Sequence, residues 1–349
     1  MKIPFDVTFH PSWWYKHAGV SFKREFFTDP EYRIEADIQM RKVLHEKFGD
    51  FGLGEKKPQP RPLLGSDLIA SGFLHSEIMG CEVRYQEENP PEVICTNLSD
   101  EAVMNLRLPE LEKIELWKNI EEQGKYLYEK FGFVETHMNL MGIQNIAMDL
   151  RGQNLLMDYY LNPELAHHLL GLCTQLSIAI GRWFKRYSNN LSAGVTAIVK
   201  QTVPDMYLTS NCTVEMISLD TYNTFLAEYD QLLAEAFGSF GIHHCGQTME
   251  HVVEGYKNIK NLKFAEVGAF SDIGYVRKHL PDIHLNLRYS PVKLKDVQGD
   301  ELYQEIHRMI ELGKPFNLLS ISCVGIDSLV KDEQVRNFLS CCKNISPLV

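Results

Sequence analysis

Three residues in the C-terminal part of the chain carry zinc-binding side chains, and each stands at the end of a predicted strand. His243 and Cys245 lie in the stretch GIHHCG, which ends the strand 240–243, and Cys323 lies in SISCVG, two residues after the strand 316–321. Side chains at positions i and i+2 of an extended segment point the same way, so His243 and Cys245 can reach one ion. Carboxyl ends of parallel barrel strands meet at one rim, which brings Cys323 to the same place. Three protein ligands with an open fourth position are typical of catalytic zinc.

Glu266 is the candidate for the fourth position of this zinc site. It ends the intervening predicted strand in KFAEVG and therefore belongs to the same rim. It either binds the metal until a substrate displaces it, or stays outside the coordination sphere and orients a ligand. A third possibility is a rim carboxylate that only bonds the backbone or a helix start. His244, between the two ligands, is expected to face the barrel wall.

Short apolar runs alternate with helical patterns from about residue 109 onward. The predicted strands are 137–142, 240–243, 263–267, 283–287 and 316–321, and the predicted helices are 163–187, 218–237, 249–256, 272–279, 301–312 and 328–341. Such alternation requires parallel strands covered by helices. No Gly-rich phosphate loop follows a strand, which favours a closed barrel over an open dinucleotide-binding sheet.

We therefore predict an α/β fold in which residues 1–349 form a single (β/α)8 TIM barrel domain. Residues 1–60 are expected to form an N-terminal helical excursion packed on the barrel. The Pro-rich segment 56–62 would lead from it into the first barrel strand.

Composition and charge exclude several classes of function. The chain has 35 Lys and Arg against 46 Asp and Glu, a net charge of −11, which disfavours nucleic acid and anionic membrane surfaces as partners. We expect a cytoplasmic protein, because no secretory signal and no apolar run of about 18 residues is present. The eight cysteines are scattered along the chain. Six of them are interpreted as ordinary buried thiols: Cys81, Cys95, Cys173, Cys212, Cys341 and Cys342.

Three longer stretches are similar to a known family. They are LRGQNLLMDYYLNPELAHHLL (150–170), MISLDTYNTFLAEYDQLLAEAFGSFGIHHCG (216–246) and LNLRYSPVKL (285–294). With the His-x-Cys…Cys pattern, the chain resembles the zinc-containing, corrinoid-dependent methyltransferases of the uroporphyrinogen decarboxylase superfamily. The resemblance implies methyl transfer between a small molecule, either a methoxylated compound or a thiol, and the cobalt of a corrinoid (cobalamin). A separate corrinoid-binding protein would supply it, since the sequence has no cobalamin-binding motif.

Decarboxylation of a tetrapyrrole without a catalytic metal is the alternative within the same superfamily. Asp67 stands where the decarboxylases keep their catalytic aspartate, but their Arg-Gln-Ala-Gly-Arg motif reads KHAGV here, with Lys16 as its only cation. An anionic porphyrinogen needs guanidinium groups to hold it. The chain also departs from the methyltransferases, because Ser322 precedes Cys323 where a Gly is usual, and GAFSDIG follows Glu266. A zinc-stabilised binding protein without catalysis is a further alternative.

Several polar and aromatic residues are candidates for the substrate pocket. Trp13 and Trp14 would either form a wall over the substrate or anchor the N-terminal segment to the barrel. The remaining candidates, from their expected positions at strand ends, are Asp67, Asn139, Gln144, Arg151 and Asn211.

Overall fold

A parallel sheet with helices on its outer side forms the centre of the computed structural model, which describes residues 2–188, 191 and 195–345. The strands are β1 (Phe5–Phe9), β2 (Leu63–Gly65), β3 (Glu82–Arg84), β4 (Glu92–Ile94), β5 (Glu135–His137), β6 (Leu140–Met141), β7 (Tyr207–Ser210), β8 (Phe240–His243), β9 (Leu262–Val267), β10 (His284–Tyr289) and β11 (Leu319–Ile326).

Helices fill most of the connections between these strands. They are α1 (Pro11–Ala18), α2 (Arg24–Thr28), α3 (Pro30–Phe48), α4 (Leu74–Ile78), α5 (Asp100–Asn105), α6 (Glu115–Phe131), α7 (Ile143–Arg151), α8 (Asn154–Leu161), α9 (Pro163–Phe184), α10 (Val199–Thr202), α11 (Leu219–Phe225), α12 (Ala227–Phe237), α13 (Val253–Tyr256), α14 (Ile273–His279), α15 (Gly299–Leu312) and α16 (Asp332–Ile345). Among the described helices, none is both long and apolar enough to cross a membrane.

Seven strands pair in the order β1-β11-β10-β9-β8-β7-β6, and every ladder between them is parallel. A separate parallel pair joins β2 to β5, and β3 and β4 form an antiparallel hairpin. No ladder links β1 to β2 among the described residues. The predicted α/β class with parallel strands and outer helices is thus confirmed. The sheet is curled like part of a barrel and is not fully closed.

The N-terminal segment differs from the prediction of a purely helical excursion. Its first element is β1, which pairs with β11 from Phe5 opposite Ile321 to Phe9 opposite Ile326. The sequence FDVTF alternates apolar and polar side chains, which is the period of a strand with two different faces. The first sheet strand therefore precedes helices α1 to α3 instead of following them.

The two faces of the sheet have different environments. On the helix face, Tyr207 of β7 stacks on Phe237 of α12 at 4.5 Å, and Tyr289 of β10 lies 5.6 Å from Phe338 of α16. On the inner face, Leu208 and Phe264 contact apolar side chains around α10 and close the amino ends of the strands. Polar side chains occupy the inner face beyond this apolar layer, toward the carboxyl ends.

Candidate metal centre

Cys212, His243 and Cys245 meet at the carboxyl ends of two neighbouring strands. Their ligand atoms all lie within 4.8 Å of one another. His243 is the last residue of β8, Cys245 follows two residues later, and Cys212 follows β7 by two residues. Ser210 of β7 is opposite His243 in the ladder, so the two strand ends are level and their loops start side by side.

The loop that carries Cys212 is fixed by side chains from the start of α7. Asn145 donates to the Ser210 carbonyl at 2.7 Å and accepts from the Thr213 amide at 3.0 Å. Gln144 donates to the Thr213 carbonyl at 2.8 Å. These bonds hold the backbone on both sides of Cys212, so its thiol is placed before any ligand binds.

The loop that carries Cys245 is held equally firmly. Glu215 accepts from the Gln247 amide at 2.9 Å. Gly268, after β9, approaches so closely that a Cβ there would lie 2.5 Å from the Gly246 carbonyl oxygen. His244 turns away from the group and bonds Tyr256 at 3.0 Å and the Thr248 carbonyl at 2.9 Å. This agrees with the predicted outward orientation of His244.

Two charged residues stand behind this group on the inner face. Glu266 of β9 is fully buried, and its Oε2 lies 3.0 Å from Nδ1 of His243. Its Oε1 lies 3.3 Å from Nε of Arg288 on β10. Neither contact is aligned as a hydrogen bond, so both carboxylate oxygens, the histidine Nδ1 and the arginine Nε remain buried without an aligned partner. The Glu266 carboxylate thus lies between the His243 ring and the Arg288 guanidinium.

The electrostatics of the metal-free group favour the metal-binding form of Cys245, the thiolate, and keep protons on Cys212 and His243. A hydrogen bond from Cys212 and the neighbouring His243 lower the pKa of Cys245, whereas the same contact and burial raise the pKa of Cys212. Burial lowers the pKa of His243, but the attraction of Glu266 and Cys245 outweighs it and raises that pKa to about 9. His243 therefore carries a proton in the absence of a metal, and this proton has to leave before the imidazole can bind a metal ion.

The donor set fits zinc. Two thiolates and one imidazole are the soft and borderline ligands that zinc prefers, and tetrahedral Zn–S bonds of about 2.3 Å place two sulfurs about 3.8 Å apart. That separation is inside the 4.8 Å limit of the group. Cys245 is exposed and Cys212 is half-buried, so a fourth position is accessible from solvent. With Nδ1 of His243 facing Glu266, Nε2 is the nitrogen left for a metal.

Cys323, the third ligand predicted from the sequence, is not part of this group. It lies inside β11, opposite Tyr289 in the ladder. Paired residues of neighbouring strands point to the same face, and Tyr289 faces the helix layer, where its hydroxyl donates to Glu305 on α15 at 2.8 Å. The Cys323 thiol therefore faces the helices, and burial raises its pKa well above the usual range. The group of possible ligands in the structure contains Cys212 where the sequence predicted Cys323.

Glu266 lies beside a ligand of this group and not within it. Its carboxylate contacts the ring nitrogen of His243 that would face away from a metal, which is the arrangement that fixes a metal-binding histidine. Of the interpretations left open by the sequence, the structure favours an orienting role outside the coordination sphere.

Three of the candidate pocket residues make hydrogen bonds that hold the loops after β7 and β8, which carry Cys212 and Cys245. Asn139 accepts from the Ser210 hydroxyl at 2.8 Å, and Gln144 holds the Cys212 loop as described. The side-chain amide of Asn211 donates to Asp230 at 2.9 Å, and its backbone N–H donates to the His243 carbonyl at 2.9 Å. Gln144 and Asn211 are buried, and their side chains are hydrogen-bonded to other residues of the protein. Both residues therefore hold the loops in position.

The other candidates have structural partners away from the metal group. Asp67 forms ion pairs with Arg61, at 2.8 Å, and with Lys200. Arg151 pairs with Asp158 at 2.8 Å at the end of α7.

Trp13 and Trp14 do not form a wall over a pocket. Both are fully buried; Trp13 stacks on Phe9 at 3.9 Å, and the Trp14 indole donates to the Leu68 carbonyl at 3.1 Å. Their burial corrects the assignment to substrate binding and agrees with the alternative, in which they anchor the N-terminal segment.

Sequence reasoning missed Cys212 and Arg288. The signal for Cys212 was the apolar run before it, which forms β7 next to β8. The signal for Arg288 was weaker, because a charged residue near the end of a buried strand can face either side.

A cleft of about 610 Å³ opens beside the rim, between the loops after β9 and β10 and helix α15. Phe270, Lys293 and Arg308 are among its lining residues, and none of the three metal-group residues lines it. The metal group is thus a rim site, separate from this cleft.

Comparisons with known proteins show what this architecture is similar to. No family model matches the chain, and no curated protein matches it. Among solved structures, a methyltransferase from Methanosarcina mazei matches with a TM-score of 0.68 and 17% identity, covering 99% of this chain and 94% of that one. A B12-independent methionine synthase from Shewanella sp. W3-18-1, in complex with selenomethionine, matches with a TM-score of 0.48 and 10% identity, covering 100% and 98% of the two chains.

The first of these likenesses establishes a shared fold along almost the whole chain. Because the identity is only 17%, this likeness shows the fold alone, and the reaction has to be inferred from the residues of the site. The second likeness, at a TM-score of 0.48, carries no weight.

Proposed function

We propose that the chain is a zinc-dependent methyltransferase that moves a methyl group between a small molecule and the cobalt of a corrinoid on a separate protein. The observation that carries the proposal is the solvent-accessible group of Cys212, His243 and Cys245 on the rim of a parallel α/β sheet. Support for methyl transfer as the reaction comes from the sequence resemblance and from the fold shared with a protein described as a methyltransferase.

Cys212, His243 and Cys245 would hold the zinc ion through two sulfurs and one nitrogen. When bound, zinc lowers the pKa of a coordinated thiol or polarises an ether oxygen as a Lewis acid. The corrinoid of the partner protein would supply the electron pair of cobalt(I) for the new bond to the methyl carbon, and the oxygen or sulfur that leaves would keep both electrons of the broken bond. In the reverse direction a thiolate would accept the methyl group.

The residues around the group serve this chemistry by fixing its geometry. Glu266 keeps Nδ1 of His243 turned toward the sheet interior, which leaves Nε2 for the metal. The bonded loops after β7 and β8 hold the two sulfurs in place without a metal. The exposed side of Cys245 leaves room for a small molecule and for the approach of a partner domain.

The decarboxylase alternative gains no support from the residues that suggested it. Asp67 is neutralised by Arg61 and Lys200, and Lys16 donates to the Ser328 carbonyl at the surface at 2.8 Å.

Metal analysis followed by a methyl-transfer assay tests the proposal. We expect about one zinc per chain. Under anaerobic conditions, the cobalt(I) spectrum of a free or protein-bound corrinoid should change when enzyme and a methoxylated compound are added; methylated corrinoid with a thiol tests the other direction. Formation of coproporphyrinogen from uroporphyrinogen, without a cobalt response to any donor or thiol, would overturn it.

A further inference from the structure

Cys81 and Cys95 stand opposite each other at the base of the β3–β4 hairpin, away from the metal group. The ladder of this hairpin pairs Glu82 with Ile94. One step further back along the two antiparallel strands, Cys81 is opposite Cys95. Both cysteines are free in the structure, and Cys81 is buried whereas Cys95 is half-buried. The hairpin is therefore flanked by a pair of thiols.

The backbone around this pair sets a short distance between the two side chains. No backbone hydrogen bond joins Cys81 to Cys95 in the described part of the chain; the Cys81 amide instead donates to the Ser76 carbonyl at 2.9 Å. Opposite residues of an antiparallel ladder that exchange no backbone bonds have Cα atoms about 4.5 Å apart. A disulfide spans Cα separations of about 4.4–6.8 Å. A bond between the two sulfurs thus fits this position of the ladder.

The end of helix α7 shows that the two sulfurs lie on the same side of the hairpin. Sγ of Cys95 lies 3.4 Å from the Met148 carbonyl oxygen, and Sγ of Cys81 lies 3.5 Å from the carbonyl oxygen of the next residue, Asp149. Thr96, which follows Cys95, donates from its hydroxyl to the Cys81 sulfur at 3.4 Å. Two sulfurs that contact consecutive carbonyls of one helix are neighbours.

The two thiols differ in how readily they react. Burial raises the pKa of Cys81 to about 11, with Asp149 and Cys95 adding to the rise, although the hydrogen bond from Thr96 lowers it. The thiolate is the form that attacks a disulfide, so Cys81 is a poor first nucleophile at neutral pH. A small reagent reaches the half-buried Cys95 first, and Cys81 is then in place to attack the product.

We propose that Cys81 and Cys95 form a reversible oxidation site, in which a small-molecule disulfide converts the two thiols into a bond across the base of the hairpin. The Cys95 thiolate attacks one sulfur of the reagent, and the other half of the reagent leaves as a thiolate. Cys81 then attacks the Cys95 sulfur, and the second half leaves. The two protein thiols lose two electrons and two protons, and the reagent becomes two thiols. The bond closes the loop 82–94 and stabilises the hairpin, and it does not depend on the metal centre.

The experiment incubates the whole protein with oxidised glutathione, blocks the remaining thiols and maps the disulfides by mass spectrometry after digestion with trypsin. Trypsin cuts after Arg84, between the two cysteines, so the bond joins two separate peptides. We expect the peptide that ends at Arg84 to be linked to 85–107, and the link to disappear with dithiothreitol. The thermal midpoint of the oxidised protein should be about 2–5 °C above that of the reduced protein.

Two variants separate this pair from the other cysteines. Cys95→Ala should show neither the link nor the rise in the thermal midpoint. Cys341→Ala removes another half-buried thiol and serves as the matched control, which should behave like the wild type. Cys212 and Cys245 lie together in the peptide 201–257, so oxidation of the metal group is recorded separately.

The mapped peptides decide the outcome even if Cys95→Ala fails to fold, because the wild type and Cys341→Ala carry both cysteines. A bond from Cys81 to the buried Cys173 would overturn the proposal. Glutathione that stays on Cys95 without a bond to Cys81 would overturn it as well, and so would two unmodified thiols after oxidation of the exposed Cys245.

Discussion

The carboxylate of Glu266 lies 3.0 Å from Nδ1 of His243, and the two residues are opposite each other in the ladder between β9 and β8. The sheet itself therefore sets this contact, because a ladder partner cannot move without its strand. The carboxylate fixes which nitrogen of the ring is free, and the ring is thereby aimed at the two cysteines.

Glu266→Gln is expected to retain zinc but to bind it about 10 to 100 times more weakly. The amide keeps the size of the side chain and removes the charge that orients the imidazole. Competition with a chromogenic chelator measures the affinity, and X-ray absorption should show the same sulfur and nitrogen neighbours as in the wild type. Loss of an oxygen neighbour in the spectrum of the variant would instead make Glu266 a ligand.

Cys212→Ser and Cys245→Ser should each remove most of the bound zinc, because a hydroxyl is a poor replacement for a thiolate. Cys323→Ala should keep the full metal content, since its thiol faces the helix layer, and should cost about 1–2 kcal/mol of stability through the small cavity it leaves. Elemental analysis and thermal unfolding provide the two measurements. Full metal in Cys212→Ser together with loss in Cys323→Ala would restore the ligand set predicted from the sequence.

Asp67→Asn should lower the free energy of unfolding at pH 7 by roughly 1–3 kcal/mol, because Arg61 and Lys200 lose the buried carboxylate they share while Arg61 keeps its ion pair with Asp37. Burial alone would raise the pKa of Asp67, but Lys200 and Arg61 outweigh it and hold that pKa well below its usual range. A lowered pKa stabilises the fold above the unfolded value of about 3.9, and this stability is lost as the pH falls toward the folded value. Denaturant unfolding should show the difference from wild type at pH 7 and a smaller one below about pH 4. Zinc content serves as the control and should not change.

Asp230→Asn should stabilise the protein at pH 7 by about 1–3 kcal/mol. Burial raises the pKa of Asp230 to about 6, although hydrogen bonds from Tyr222 and Asn211 act in the opposite direction. Because the folded carboxyl keeps its proton to a higher pH than the unfolded one, wild-type stability falls as the pH rises from about 4 to about 6. An amide oxygen can accept the same two bonds without ionising. Unfolding midpoints measured across this range should slope less in the variant; identical slopes would contradict the buried, proton-retaining carboxyl.

The elements that the sequence predicted well are those with continuous apolar runs and clear turns on both sides. The predicted strand 240–243 agrees with β8, and 263–267 agrees with β9 within one residue. These two strands contribute His243 and Cys245, two residues of the candidate metal group, and the neighbouring Glu266. Strong local patterns of this kind are decided by the residues themselves.

The errors came from strand boundaries and from a strand that was not predicted. The last strand was expected at 316–321 and runs over Leu319–Ile326, so Cys323 lies inside it. Side chains alternate between faces along a strand, and its position there directs Cys323 to the helix layer. β7 was not predicted, and Cys212 was taken for an ordinary buried thiol. The face of Cys323 depends on the strand to which β11 pairs, which no single stretch of sequence determines, whereas the apolar run before Cys212 was a local signal for β7.

The two sides of the group formed by Cys212, His243 and Cys245 differ in exposure, and this difference affects the affinity for a metal ion and the rate of its exchange in different ways. Glu266 lies fully buried behind His243, whereas Cys245 is exposed at the front. How tightly an ion is held depends on the ligands themselves and on the carboxylate at the back, which orients His243 and cannot be reached by solvent. How quickly an ion is exchanged is decided at the front, where a competing thiol can attack without opening the sheet. Changes that narrow or widen access to Cys245 while keeping its thiol can thus slow or speed metal exchange, and changes at Glu266 act through the affinity.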